Sequence, residues 1–144
     1  ELRQDPRVTV LDRTNVRHLT LENIGEPVEM VVADLSFISL TLVLPAFVAV
    51  TTPDADFVVM VKPQFEVGRE KLGAGGVVRD PVLRLGAIEE VARSAWEVGL
   101  GVAGVTASPL PGPSGNVEYF LWLRRGSGEL TRERAEAAIA KGPQ

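Results

Sequence analysis

A chain of 144 residues with 45% hydrophobic side chains can build one core and at most one domain. Its formal net charge of −4 weighs against strong electrostatic binding of nucleic acid by these residues alone, because neutralising phosphates takes clustered Lys or Arg. The lack of Cys excludes disulfides, thiolate metal sites and a Cys nucleophile, and a single histidine, His18, excludes a zinc site of several imidazoles.

The first residues, from Glu1, show no initiator Met and no signal-peptide pattern, so the chain reads as a piece of a longer protein. Val8 to Leu11 is a short β-branched run ending at Asp12, which predicts a strand with a carboxylate at its tip. His18 has no metal-ligand spacing or nucleophile around it and reads as a loop residue. Val28 to Ala33 repeats the strand plan and ends at Asp34. Ser36 or Ser39 then caps a helix built on Leu40, Leu42, Val43, Leu44, Phe47 and Val48, with Pro45 in an early turn. The apolar stretch around this helix, Ile38 to Val50, is interrupted by Ser39, Thr41 and Pro45. It falls short of the roughly 18 to 20 residues needed to span a bilayer.

A third strand, Asp56 to Val61, ends at Lys62 and is stopped by Pro63. Near-continuous apolar runs of this kind predict strands covered on both faces, as in a mostly parallel sheet. Gly68 to Gly76 reads as a loop. Asp80-Pro81 opens a helix over Val82 to Val98, with Leu85, Ile88, Val91, Ala92, Ala95 and Trp96 on the buried face and Arg84, Glu89, Glu90, Arg93 and Glu97 opposite. Val102 to Ala107 is a fourth strand. A stiff turn rich in Pro and Gly, Pro109 to Gly115, leads to a last strand over Asn116 to Arg124, and a charged helix follows from Thr131. Trp96 and Trp122 are assigned to the core, and the basic pair Arg124-Arg125 to solvated surface.

The loop before the last strand is too short for a crossover helix, so that strand should run antiparallel to its predecessor. Its start then lies on the rim where the other strands end. Asp12, Asp34, Lys62 and Glu118 converge on one edge, which is where open α/β sheets bind ligands. Lysine is scarce in this chain, three of fifteen basic residues, and unlike Arg it can lose its proton when desolvated. Lys62 between Asp34 and Glu118 is therefore either a base held by carboxylates or a structural ion pair. Asp12 is either an acceptor for ribose hydroxyls, as carboxylates at early strand tips in nucleotide-binding folds are, or a turn residue before Thr14-Asn15.

The strings Val32-Ala33-Asp34-Leu35-Ser36-Phe37-Ile38-Ser39, Val61-Lys62-Pro63-Gln64-Phe65-Glu66 and Ser114-Gly115-Asn116-Val117-Glu118-Tyr119-Phe120, with Leu11 to Arg17, resemble the TlyA, or hemolysin A, family of FtsJ-like RNA methyltransferases. The resemblance implies a Rossmann-like class I methyltransferase sheet, mostly parallel with an antiparallel last strand. It implies transfer of a methyl group from S-adenosylmethionine to a ribose 2′-hydroxyl of ribosomal RNA, in the cytoplasm and without a metal. Asp34, Lys62 and Glu118 match the last three members of a Lys-Asp-Lys-Glu catalytic set, and Asp12 and Asp34 would contact the cofactor. On this reading residues 1–144 are a partial methyltransferase domain that lacks the family's N-terminal S4 RNA-binding domain, the first catalytic Lys, and the first strand with its Gly-rich cofactor loop. The 144-residue segment alone is then expected to bind cofactor poorly. Two other readings stay open. One is a secreted or membrane-active hemolysin, which the lack of a spanning segment or a basic amphipathic helix weighs against. The other is a non-catalytic α/β binding module.

Overall fold

The structure is a computed structural model describing residues 1–144. Four strands form one sheet: β1 (Val28–Ala33), β2 (Thr51–Val61), β3 (Gly101–Ala107) and β4 (Tyr119–Arg124), in the order β1-β2-β4-β3. β1 and β2 are parallel, while β4 runs antiparallel to both β2 and β3, so three strands share one direction and the last is reversed. The expected reversal is thus found. Val61 pairs with Tyr119 across β2 and β4, which puts Lys62 and Glu118 one step beyond the same end of the ladder.

The helices follow from local signals. Ser39, not Ser36, caps α2 (Leu40–Ala49), its hydroxyl accepting from the Thr41 N–H at 3.1 Å. Pro45 falls in the second turn of α2. Asp80 caps α4 (Pro81–Glu97) through the Val82 N–H at 2.9 Å, with Pro81 at the first helical position, where its missing N–H costs nothing. Thr131 caps α5 (Arg132–Lys141). Two single-turn helices complete the set, α1 (Leu21–Ile24) and α3 (Pro63–Glu66).

Phe57, Val59 and Val61 of β2 and Tyr119, Leu121 and Leu123 of β4 are fully buried, packed with Val43 and Leu44 of α2 and Ile88, Val91 and Ala95 of α4. Truncating a side chain such as Phe57 to Ala in a core like this costs about 3–5 kcal/mol. The alternate residues of β2, among them Val58 and Met60, are only partly buried.

Five expectations are corrected. Val8 to Leu11 forms no strand, because a strand exists only through a ladder and no other segment pairs with this one. Val8, Val10 and Leu11 are left 37–42% exposed. The apolar runs do not mean two covered faces: β1 leaves Met30 and Val32 exposed, and Trp122 on β4 is also exposed. Trp96 is exposed too, so neither tryptophan is a core residue; the Trp122 indole N–H donates instead to Asp56 at 2.8 Å. Arg84 is buried rather than on the outer face of α4, and its Nε donates to the Val78 carbonyl at 3.1 Å. Arg124 pairs with Asp56, and Arg125 donates to the carbonyls of Thr52 and Val48, so this pair ties β2 and α2 to the end of β4.

Candidate active site

Lys62 is the last residue before α3 and is 8% exposed. Its ammonium lies 2.5 Å from the Asp34 carboxylate and 3.3 Å from the Ser36 hydroxyl. Both acceptors come from the turn that follows β1. That turn carries backbone strain, since Phe37 takes the left-handed conformation at φ 64°. The Phe37 ring is 89% exposed and rests on Phe65, with ring centroids 4.9 Å apart.

Glu118, 6% exposed, is not ion-paired with Lys62. Its carboxylate accepts from the Gln64 amide at 2.9 Å. A carboxylate can only accept, so this bond fixes the amide with nitrogen toward Glu118. The other end, Gln64 Oε1, is buried without a partner. Lys62 is therefore held directly by one carboxylate, and the second reaches the cluster through Gln64.

The stiff turn does place Glu118. Gly112 is needed there because a Cβ would come within 2.5 Å of the Glu118 carboxyl. Asn116 locks the turn from inside: its side-chain Oδ1 accepts from the Val78 N–H at 3.0 Å and its side-chain Nδ2 donates to the carbonyls of Gly76 and Pro113. Ser114 at φ 58° and Gly115 at φ 84° supply the sharp bend.

α3 joins the parts. Gln64 reaches Glu118, Phe65 meets Phe37, and Glu66 accepts from the Ser39 hydroxyl at 2.5 Å and the Leu40 N–H at 2.9 Å. Burial pushes the Glu66 carboxyl above its ordinary range; the bonds from Ser39 and Leu40 pull the other way, and Glu90 adds a smaller upward push. A cleft of about 460 Å³ opens beside the cluster, with Phe37, Leu42, Gln64, Phe65 and Arg69 among its walls.

Asp12 is bonded outside this group. It pairs with Arg3 at 2.8 Å, both side chains mostly exposed, and shares no hydrogen bond with Asp34, Lys62 or Glu118. His18 sits exposed in a short turn, Val16–His18. No three His, Cys, Asp or Glu side chains converge as metal ligands would. Gln64, Glu66, Asn116 and Phe37 lie inside the motif strings, but none of them ends an apolar strand run, and the sequence alone assigns them no role. A signal was present for the first two in their position directly after Lys62.

The profile of FtsJ-like methyltransferases matches residues 1–125. The chain belongs to the FtsJ-like methyltransferase family. Among its relatives, the 16S/23S rRNA (cytidine-2′-O)-methyltransferase TlyA of Mycobacterium tuberculosis is 58% identical over 147 residues, which cover 99% of this chain and 55% of that protein. A solved structure from Streptococcus thermophilus that carries the name hemolysin superposes with a TM-score of 0.90 at 34% identity, covering 97% of this chain and 52% of that one. Another of that name, from Lactococcus lactis, gives 0.87 at 36% identity, covering 96% and 68%. The chain thus spans about half the length of the curated relatives it matches. No helix of this FtsJ-like chain is long and apolar enough to cross a membrane, and hemolysin is a name these relatives carry rather than a feature of the site.

Proposed function

We propose that this chain forms the catalytic part of an S-adenosylmethionine-dependent methyltransferase acting on a ribose 2′-hydroxyl of ribosomal RNA in the cytoplasm. The observation that carries this reading is a buried ammonium at a strand end, held by a rim carboxylate, in a chain of FtsJ-like family. The 58% identity to a protein named for cytidine 2′-O-methylation supplies the substrate class.

Lys62 is the group that takes or orients the proton of the attacking hydroxyl. Asp34 holds the ammonium in place, and its exposed side leaves a carboxylate oxygen facing the rim. Glu118, fixed by Gln64 and backed by Gly112, positions the hydroxyl from the other side. The buried, unpartnered Gln64 Oε1 is an acceptor available to a donor that enters the cluster. Alignment and proton removal are what such a site can contribute, and no covalent intermediate on the protein is required.

For the cofactor, the carboxylates fit the donors they would meet: Asp12 would accept from ribose hydroxyls and Asp34 from groups at the rim. When bound, S-adenosylmethionine supplies an electrophilic sulfonium methyl. Phe37 presents an exposed ring at the mouth of the cleft, suited to stack on a nucleobase. With a net charge of −4, these residues leave most of the RNA affinity to the rest of the parent protein.

The test is methyl transfer to ribosomal subunits by the full-length parent, wild type against Lys62→Ala and Lys62→Arg. Loss of general-base chemistry is worth about 10²–10⁴ in rate. Both variants should fall by that order, Arg included, because it keeps the charge but cannot release the proton. Unchanged rates in Lys62→Ala would remove Lys62 from the mechanism.

A further inference from the structure

We infer that Glu66 is a positioning residue for the Lys62–Asp34 pair, bracing the turn after β2 against the start of α2. This rests on the function proposed above for the same site. The two members of the pair sit on different segments, Asp34 on the turn after β1 and Lys62 at the end of β2. Asp34 is 66% exposed, so water competes for its carboxylate and the ion pair alone holds the turn weakly.

Glu66 supplies the missing restraint from only four residues beyond Lys62. One carboxylate oxygen takes the Ser39 hydroxyl and the other takes the Leu40 N–H. Both donors lie at the N-terminus of α2, immediately after the turn that carries Asp34, Ser36 and Phe37. A carboxylate there also complements the positive end of the helix. Ser39 completes the joint by accepting from the Thr41 N–H. The groups facing Glu66 are thus Ser39, Leu40 and, more distantly, Glu90 from α4.

The geometry makes one turn of chain the common anchor of the cluster. Lys62 reaches Asp34 and Ser36, Gln64 reaches Glu118, and Glu66 reaches Ser39 and Leu40. Removing the Glu66 arm leaves Gln64 and Glu118 in place but frees the turn with Asp34 to shift against Lys62. The expected defect therefore lies in the chemical step and not in substrate binding.

The experiment uses the full-length parent with S-adenosylmethionine and ribosomal subunits, comparing wild type, Glu66→Ala, Glu66→Gln and Ser39→Ala. Misplacement of a reacting group lowers rate steeply, so Glu66→Ala should lose about tenfold to a hundredfold in kcat with KM for both substrates within about twofold. Its rate–pH profile should also move. Glu66→Gln should recover most of the rate, since its amide can accept from the Leu40 N–H and bond Ser39. Should Glu66→Ala not fold, Ser39→Ala removes one arm and should show the same defect at smaller size. A variant that unfolds at lower temperature but keeps wild-type kcat and pH profile would overturn the brace. If the wild type transfers no methyl group, the proposed function fails by itself. The Lys62 side-chain resonances, compared by NMR at one pH in wild type and Glu66→Ala, then decide: displaced resonances support the brace and unchanged ones refute it.

Discussion

Asp12 and Asp34 follow similar apolar runs and are similarly exposed, at 60% and 66% of the side chain, yet their partners differ. Arg3 beside Asp12 is 68% exposed, while Lys62 beside Asp34 is 9% exposed. An ion pair between two solvated side chains is worth about 0–1 kcal/mol, and losing it leaves both groups in water. Losing the partner of a buried ammonium leaves a charge that water cannot reach. The burial of the partner, more than the exposure of the carboxylate, marks a site that can hold and tune a proton.

Replacing each aspartate by asparagine tests that difference most directly. Asp34→Asn should destabilise by about 2–3 kcal/mol, below the 3–5 kcal/mol of a fully buried pair because Asp34 itself is solvated. Asp12→Asn should stay within about 0.5 kcal/mol, as surface changes do. Denaturant midpoints with unchanged slopes would measure both, and equal losses would erase the distinction between the two tips. In the full-length parent the contrast should reappear differently: Asp34→Asn loses turnover, and Asp12→Asn weakens only the cofactor.

A smaller effect is expected at Gly112, on the far side of the cluster. A methyl group there would collide with the Glu118 carboxyl, and relief requires Glu118 or the turn to move. Gly112→Ala should cost about 1–2 kcal/mol, as overpacking does, and lower kcat more than Gly86→Ala, whose added Cβ meets open space. If both glycine variants kept full turnover, the position of Glu118 would not matter. Smaller again is Phe37→Ala. An 89% exposed ring adds little to stability, and its loss should weaken RNA binding by about 1 kcal/mol, the low end for base–aromatic stacking. Unchanged RNA affinity would leave Phe37 as packing for Phe65 alone.

The same contrast explains which parts of the structure could be read from sequence. β1 was bounded correctly because its apolar run, Val28 to Ala33, ends at a charge and finds β2 as a partner. Val8 to Leu11 has similar composition, but pairing is a property of neighbours, and neighbours are not written in a local run. The reversal of β4 followed from loop length alone, and with it the placing of Glu118 beside Lys62. The bond that Glu118 makes could not be foreseen, because Gln64 has no periodic or charged signature. Arg84 and Trp96 were exchanged between the faces of α4 for a related reason. Helical spacing gives two faces, but a buried carbonyl at Val78 can draw a guanidinium inward.

The smallest predicted effect is a pH dependence confined to the brace. Burial holds the Glu66 carboxyl above its ordinary 4.5 in the folded chain. Between 4.5 and that raised value the folded state binds more protons than the unfolded one. Stability must then fall as pH rises through this window, because the slope follows the difference in bound protons, unfolded minus folded. Below 4.5 the contribution is fully present, and above the window it is lost. Most carboxylates in the chain are exposed, and those whose ionisation is favoured by Arg neighbours, such as Glu90 beside Arg93, push stability the other way. The Glu66 contribution is therefore isolated by difference: wild type minus Glu66→Gln, by thermal unfolding across the window, should slope downward with rising pH. A flat difference would mean that Glu66 is as well solvated as Asp12, and the rim that holds Lys62 would then be no drier than the one that does not.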